Sequence, residues 1–396
     1  MLIVQKYGGA TLETPEKIKA AARKISDLKN NHIQVVAVVS AMGSTTNDLL
    51  QLAQKVSSTP NLRELDMLLT VGERVSMSLV SIALNDLGHD AISFTGSQAG
   101  ILTDEAHLNA MIKDVKASRV EEALQNNKIV ILAGFQGVSP LTKEITTLGR
   151  GGSDTSAVAM AAYLHADRCE ILKDVTSIFT ADPKLIPNAK PINKLNYDQL
   201  LEMTFWGAKV LHYRSVELAK IKNVKLYVGP AHSQNQKNEG TIIQEDIMFE
   251  SSKPLAVNSH ASVIEIICLN LKLTDSLIAL YKWLHENNIG TPQILHGHEA
   301  KSNTHIFIAA PNEIIHSIQN ILQKFSDQFK LSTQPICSVS LTCTGSSLNE
   351  VLRMATQALD KSDIQPLHFF QSSMSLNFIL PNEKKNAAIA VLHSLI

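Results

Sequence analysis

Thr147-Leu148-Gly149-Arg150-Gly151-Gly152-Ser153-Asp154-Thr155-Ser156-Ala157 is the stretch on which the fold turns. Its paired glycines let backbone amides approach a ligand with no side chain in the way, and Ser153 or Asp154 is placed to cap the helix that follows. Ala157, Val158, Ala161, Ala162 and Leu164 give that helix a face of small apolar residues, so its N-terminus can lie close on a sheet with its dipole aimed at an anion. Arg150 adds a planar fork of donors suited to a carboxylate or a phosphate. An ordinary glycine turn before a buried helix accounts for the same residues, and the stretch alone does not separate the two readings.

Upstream, the same grammar recurs. Leu2 to Gln5 is an apolar strand running into Lys6-Tyr7-Gly8-Gly9-Ala10-Thr11, a cation and two glycines at a strand's C-terminal end. The Walker A spacing is absent, so a phosphate bound here implies a different nucleotide fold. Ile33 to Val39 delivers Ser40-Ala41-Met42-Gly43-Ser44-Thr45-Thr46; Ala91 to Thr95 and Ile129 to Ala133 also end in glycine turns. Repeated strands of this kind predict one doubly wound, mainly parallel sheet with a shared ligand edge. Glu73, in Gly72-Glu73-Arg74 before an apolar helix, is either a solvated first-turn acid or a carboxylate for an ammonium. Downstream, Cys169 to Leu172 ends in Lys173-Asp174, a long loop carries Phe179, Asp182 and Lys184, and Lys209 follows a further glycine turn.

The 396 residues predict two or three domains. With 44 % hydrophobic and 18 % charged residues the composition is globular, and 36 basic against 37 acidic residues exclude a general nucleic-acid or membrane-surface field. No apolar run reaches the roughly 18 residues of a membrane span. The N-terminus opens directly on a strand pattern and the four cysteines form no C-x-x-C pair, so a reduced, cytoplasmic protein is expected. His285, His296, His298, His305 and His316 are too scattered in spacing to indicate a metal, and no metal ligands are assigned.

Lys6-Tyr7-Gly8-Gly9, Ser40-Ala41-Met42-Gly43, Gly72-Glu73, Phe94 to Gly100, Gly134-Phe135-Gln136-Gly137, Thr146 to Ser156, Phe179 to Lys184 and Gly207 to His212, in this order, resemble the aspartate kinase family. The resemblance covers residues 1 to about 245. It implies the amino-acid kinase fold, an α/β/α sandwich, and transfer of the terminal phosphoryl of MgATP to the side-chain carboxylate of L-aspartate, the first step toward lysine, threonine and methionine. It further implies that Lys6 and the Gly8 and Gly9 amides hold the transferred phosphoryl and that Asp154 orients Lys6. Arg150 then clamps a substrate carboxylate, Glu73 binds the substrate ammonium, and Ser40, Thr45 and Ser153 complete that pocket. Asp174, Phe179, Asp182, Lys184 and Lys209 match the nucleotide side, where Lys173 is placed as well, with Lys209 near the phosphates and Mg2+ held mainly by ATP oxygens and waters. Ala10, Lys173, Thr176, Ser177, Lys184, Tyr213 and the segment Val228-Gly229-Pro230 depart from the family pattern, which puts nucleotide affinity in question more than the chemistry.

From Pro254 onward the rhythm changes. Strand Val263 to Leu269, helix Asp275 to Glu286, strands Pro292 to His296 and His305 to Ala309, and helix Glu313 to Phe325 are followed by the same order from Ile336 to Leu395. Two βαββα units predict tandem ferredoxin-like modules, 255–335 and 336–396, resembling paired ACT domains after a catalytic domain at 1–245. Each needs a fourth strand, and the spare segment Leu255 to Val257 is expected to supply one to the second module. The usual effector-site glycine and proline are missing from Asn270 to Asp275. A lysine or threonine effector and a purely dimer-building role both stay open, with a homodimer or larger homo-oligomer expected. Two other functions compete: the same fold acting on another amino acid or carbamate, and an idle scaffold subunit.

Overall fold

In the computed structural model, the residues described are 1–232, 239–245, 253–286, 292–310, 315, 318–319, 328–332, 334–344 and 347–396. They divide into two compact bodies, one formed by residues 1–178, 191–204 and 209–248, the other by 179–190, 205–208 and 249–396.

The first body is built on an eight-stranded sheet. Its centre consists of β1 (Leu2–Tyr7), β2 (Gln34–Val39), β6 (Ile129–Ala133) and β9 (Arg168–Lys173), all parallel, with β3 (Ala91–Phe94) beyond β6. Five consecutive residues of β1, β2 and β6 are buried, as expected of strands covered on both faces. On the other side, β13 (Leu226–Pro230) pairs parallel with β9 and antiparallel with β14 (Thr241–Ile243), beside β12 (Lys194–Leu195). Register then puts the C-terminal ends side by side. Gly8 donates its amide to Leu172, Ser40 to Tyr7 and Gly134 to Val39, so the glycine turns of separate strands meet along one edge.

Helix α1 (Pro15–Asn30) starts with the Thr14 hydroxyl accepting from the Lys17 amide and with proline at the first position. Helices α3 (Leu62–Leu69) and α4 (Val71–Asp86) run almost end to end. Residues 62–86 are long and apolar enough to cross a membrane by composition, but half of that stretch is buried inside the body, as for a core helix. Helix α6 (Gly152–Tyr163) is covered almost all round, its first ten residues being buried. Ser153 and Asp154 do not cap it. The chain reaches α6 through Gly151 in the left-handed region, φ 69°, and no side chain caps the start, so both residues lie within the first turn. A small sheet absent from the sequence reading, β4 (Ile101–Thr103), β5 (Ile112–Val115), β7 (Gln136–Val138) and β8 (Ile145–Thr147), leads into this region.

In the second body, β15 is a single 13-residue strand, Ala256–Cys268. Its first part, 256–260, pairs with β19 (Ile336–Thr342), and its last part, 263–268, pairs with β17 (Asn303–Ala309) and with β18 (Phe329–Leu331), the register shifting between His260 and Val263. β16 (Gln293–Ala300) flanks β17, while β21 (Ser375–Pro381) and β20 (His368–Gln371) extend from β19. Both halves therefore have ferredoxin-like strand order. The expected helix Glu313 to Phe325 lies mostly outside the described residues, as do His316, Gly345 and Ser346. Helices Leu348–Lys361 and Lys385–His393 bury Val351, Ala355 and Leu392 against Val257, Val339 and Leu341. Leu341→Ala should cost about 2–5 kcal/mol, since it removes a fully buried side chain opposite Val257 of β15. Urea unfolding of the full chain measures this.

Candidate active site

At the shared strand edge, Lys6 is the next-to-last residue of β1 and Asp154 the third residue of α6. Lys6 Nζ lies 2.6 Å from Asp154 Oδ1, with side-chain exposures of 9 % and 7 %. Burial works against the Asp154 charge, but the ammonium groups of Lys6 and Lys173 outweigh it and hold the carboxyl below the ordinary aspartate range. Lys173, at the end of β9, donates its ammonium to the Val210 carbonyl, one residue after Lys209. Burial lowers its pKa, which the field of Asp154 partly offsets.

The glycine cradle abuts a second group. A Cβ on Gly9 would stand 2.7 Å from the Ala41 carbonyl oxygen, and Gly43 donates its amide to Gly9, so these backbones are in close approach and only glycine fits. The Ala41 amide donates to Glu73 Oε1 at 3.1 Å. Glu73, 3 % exposed, has its other carboxylate oxygen buried with no partner. Burial drives its pKa up to about 7 against the opposing backbone hydrogen bonds. A half-satisfied buried carboxylate of this kind suits a cation brought by a ligand. Ser153 packs on the strand-end residue Gly134, where an added Cβ would approach Ser153 Cβ to 2.8 Å. Arg150 is exposed between Gly149 and Gly151, both at positive φ. Backbone and ammonium donors, a half-satisfied carboxylate and an exposed guanidinium thus belong to neighbouring strand ends and turns.

The model of the amino acid kinase family matches residues 1–230. The chain belongs to that family. An aspartokinase of Corynebacterium glutamicum is 50 % identical over 273 residues, 68 % of this chain and 64 % of the relative, so the match spans less than two thirds of that relative's length. An aspartokinase of a Bacillus species is 36 % identical over 400 residues, covering 99 % of this chain and 96 % of the other. Escherichia coli aspartokinase III, in a complex with aspartate and ADP, superposes with a TM-score of 0.80 at 20 % identity, covering all of both chains. At that identity the likeness speaks for the fold.

In this amino acid kinase, Ser40 and Thr45 flank Ala41 as the sequence order requires, and the Thr45 hydroxyl donates to the Met42 carbonyl at 2.6 Å. Asp174 and Lys209 are exposed. Phe179, Asp182 and Lys184 belong to the 179–190 segment of the second body, where Asp182 Oδ1 accepts from the Lys184 amide at 2.9 Å. His296, His298 and His305 stack in sequence, His296 also on Phe370, and His368 meets His298 at a tilt, with centroid spacings of 4.8–5.5 Å, although their sequence spacing gave no sign of it. Among the described residues they do not form a metal-binding group.

Sequence reasoning missed Asp66, His107 and Arg214. Asp66 is fully buried, and a carboxylate inside the apolar run Leu65 to Leu69 was the available signal.

Asp154→Ala leaves the buried Lys6 ammonium unpaired and should cost about 3–5 kcal/mol, whereas Lys6→Met with Asp154→Leu should cost less than the single change. Because the folded pKa of Asp154 is depressed, its contribution is present above the unfolded value near 3.9 and lost as pH falls through the folded one. Denaturant unfolding of the three chains between pH 7 and pH 3 tests both statements.

Proposed function

We propose that the protein is an aspartate kinase, converting L-aspartate and MgATP to 4-phospho-L-aspartate and ADP. The observation that carries this reading is the buried, half-satisfied Glu73 carboxylate one hydrogen bond from the Gly9 and Ala41 turn. A free amino acid brings the ammonium that such an oxygen needs, while an N-acylated or carbamate acceptor brings none. Aspartokinase relatives, one matching almost the full chain, support the same acceptor. The intact Lys6–Asp154 pair speaks against an idle scaffold.

The acceptor carboxylate is ionised at neutral pH and is itself the nucleophile, so the protein's task is to align two anions and offset the charge spreading over the transferred group. Lys6 and the Gly8 and Gly9 amides are suited to the transferred phosphoryl, with Asp154 fixing the direction of the Lys6 ammonium. Arg150 takes a substrate carboxylate and Glu73 the ammonium, with Ser40, Thr45 and Ser153 beside them. Lys173, Asp174, Phe179, Asp182, Lys184 and Lys209 are assigned to the nucleotide side. Mg2+ bound to ATP oxygens supplies charge neutralisation, and a donor set of lysines around one carboxylate suits an ion that brings its own phosphate and water ligands. Residues 1–245 form the catalytic domain in this reading. The modules 255–335 and 336–396 build a homodimer or larger assembly and bear on lysine or threonine sensing. Four free, buried cysteines fit a cytoplasmic setting.

Hydroxylamine trapping with MgATP and L-aspartate should yield aspartyl hydroxamate; no hydroxamate with any amino acid would overturn the assignment. Arg150→Ala should chiefly raise the KM for aspartate, and Asp154→Asn should chiefly lower kcat. Glu73 must be ionised to bind an ammonium, and its pKa is pushed up to about 7. kcat/KM for aspartate should therefore fall as pH drops below 7, and Glu73→Gln should be low and flat across that limb.

A further inference from the structure

We infer that Asp66 and Arg214 are positioning residues that fix the backbone on both sides of Arg150 and so aim its guanidinium at the substrate carboxylate. The inference rests on the reading of Arg150 as the carboxylate clamp and adds what holds it there.

Arg150 stands outside both flanking elements, since β8 ends at Thr147 and α6 begins at Gly152. Its neighbours Gly149 and Gly151 have φ of 74° and 69°, conformations that glycine adopts without steric cost but does not enforce. The backbone that carries Arg150 is therefore held by what packs against them. On the N-terminal side, the Thr147 hydroxyl donates to Asp66 Oδ1 at 2.6 Å and the Thr147 carbonyl accepts from the Ala110 amide at 2.9 Å. The Leu148 carbonyl accepts from Arg214 Nη1 at 2.6 Å. The loop against Gly149 is so close that an added Cβ would stand 2.9 Å from the Leu108 oxygen. Asp66 fixes that loop too, through His107 Nδ1 at 2.6 Å and the Leu108 amide at 3.1 Å. On the C-terminal side, the His212 side chain fills the space where Gly151 would carry a Cβ. The Arg214 amide donates to His212 Nδ1 at 3.4 Å.

Arg214 completes the frame, with Nη2 donating to the Ala110 carbonyl at 2.8 Å and Nη1 reaching Asn109 Oδ1 at 3.3 Å. A guanidinium usually directs its fork at a carboxylate; here it joins the 109–110 loop to the Leu148 carbonyl. Asp66 is 0 % exposed, and a buried carboxylate persists only with several donors. Its three donors lie on the loop and strand end that bracket the approach to Arg150. Small displacements of a clamp are costly to substrate capture, so the frame has a kinetic signature.

The experiment compares the full-length wild type with Asp66→Asn, Arg214→Lys, Arg150→Ala and the Asp66→Asn, Arg150→Ala double variant in the hydroxamate assay, varying aspartate and ATP separately. Asp66→Asn and Arg214→Lys should each raise the KM for aspartate about tenfold, with the KM for ATP changed by less than about twofold. With Arg150 already replaced, Asp66→Asn should add little, because the two act through one group. A general structural role would multiply the Arg150→Ala defect and weaken ATP and aspartate use alike, which would overturn the inference. So would an unchanged KM for aspartate in both positioning variants. If Arg150→Ala itself leaves that KM unchanged, the clamp assignment falls and the inference with it, a result separate from failure of the positioning variants alone. Thr147→Val, which removes one donor to Asp66 at nearly constant volume, serves if Asp66→Asn does not fold. It should raise the same KM in the same direction.

Discussion

The ion pair between Lys6 and Asp154 ties the end of the central strand to the first turn of the buried helix. Two opposite charges removed from water must face each other closely. This requirement brings the start of α6 over the end of β1, and the cradle at Gly8 and Gly9 follows directly in the chain. Asp154 could not do this as a helix cap, because a capping carboxylate is engaged by backbone amides. Entry into α6 through a left-handed glycine leaves it free for lysine. With Lys173 also acting on Asp154, the local balance is two cations to one anion, a residual field suited to phosphate.

Among the described residues of the first body, four buried carboxylates show how partners set character. Asp154 faces ammonium groups and stays strongly ionised. Asp66 faces a hydroxyl, an imidazole and an amide and acts as a joint. Glu170, in β9, is met by Gln5 at 2.7 Å and Arg168 at 2.7 Å, holding adjacent strands. Glu73 keeps one buried oxygen that meets neither a hydrogen-bond donor nor, as Asp154 Oδ1 does, a lysine, and burial raises its pKa. Incomplete satisfaction of this kind suits a position that a ligand can complete.

Much of this was legible because strand and turn chemistry is local. Apolar runs ending in glycine announced the central strands and their common edge, and the order of motifs announced the family. What was not legible depends on distant packing. Whether Asp154 caps or pairs is decided by Lys6, nearly 150 residues away in sequence. Asp66 sits in an apolar helix, and its partners at 107, 108 and 147 come from one loop and the end of β8, so no spacing rule points to them. The small sheet of three- and four-residue strands escaped notice because such short segments carry too little periodicity. The clustered histidines of the second body meet only through sheet pairing and stacking.

The thirteen-residue strand β15 gives half its length to each ferredoxin-like unit. The boundary between the units is consequently a point along one strand instead of a loop. No cut in the chain could release two self-sufficient modules, since severing β15 deprives one or the other of an edge. The two units are therefore joined along one continuous strand, interrupted by the register shift between His260 and Val263.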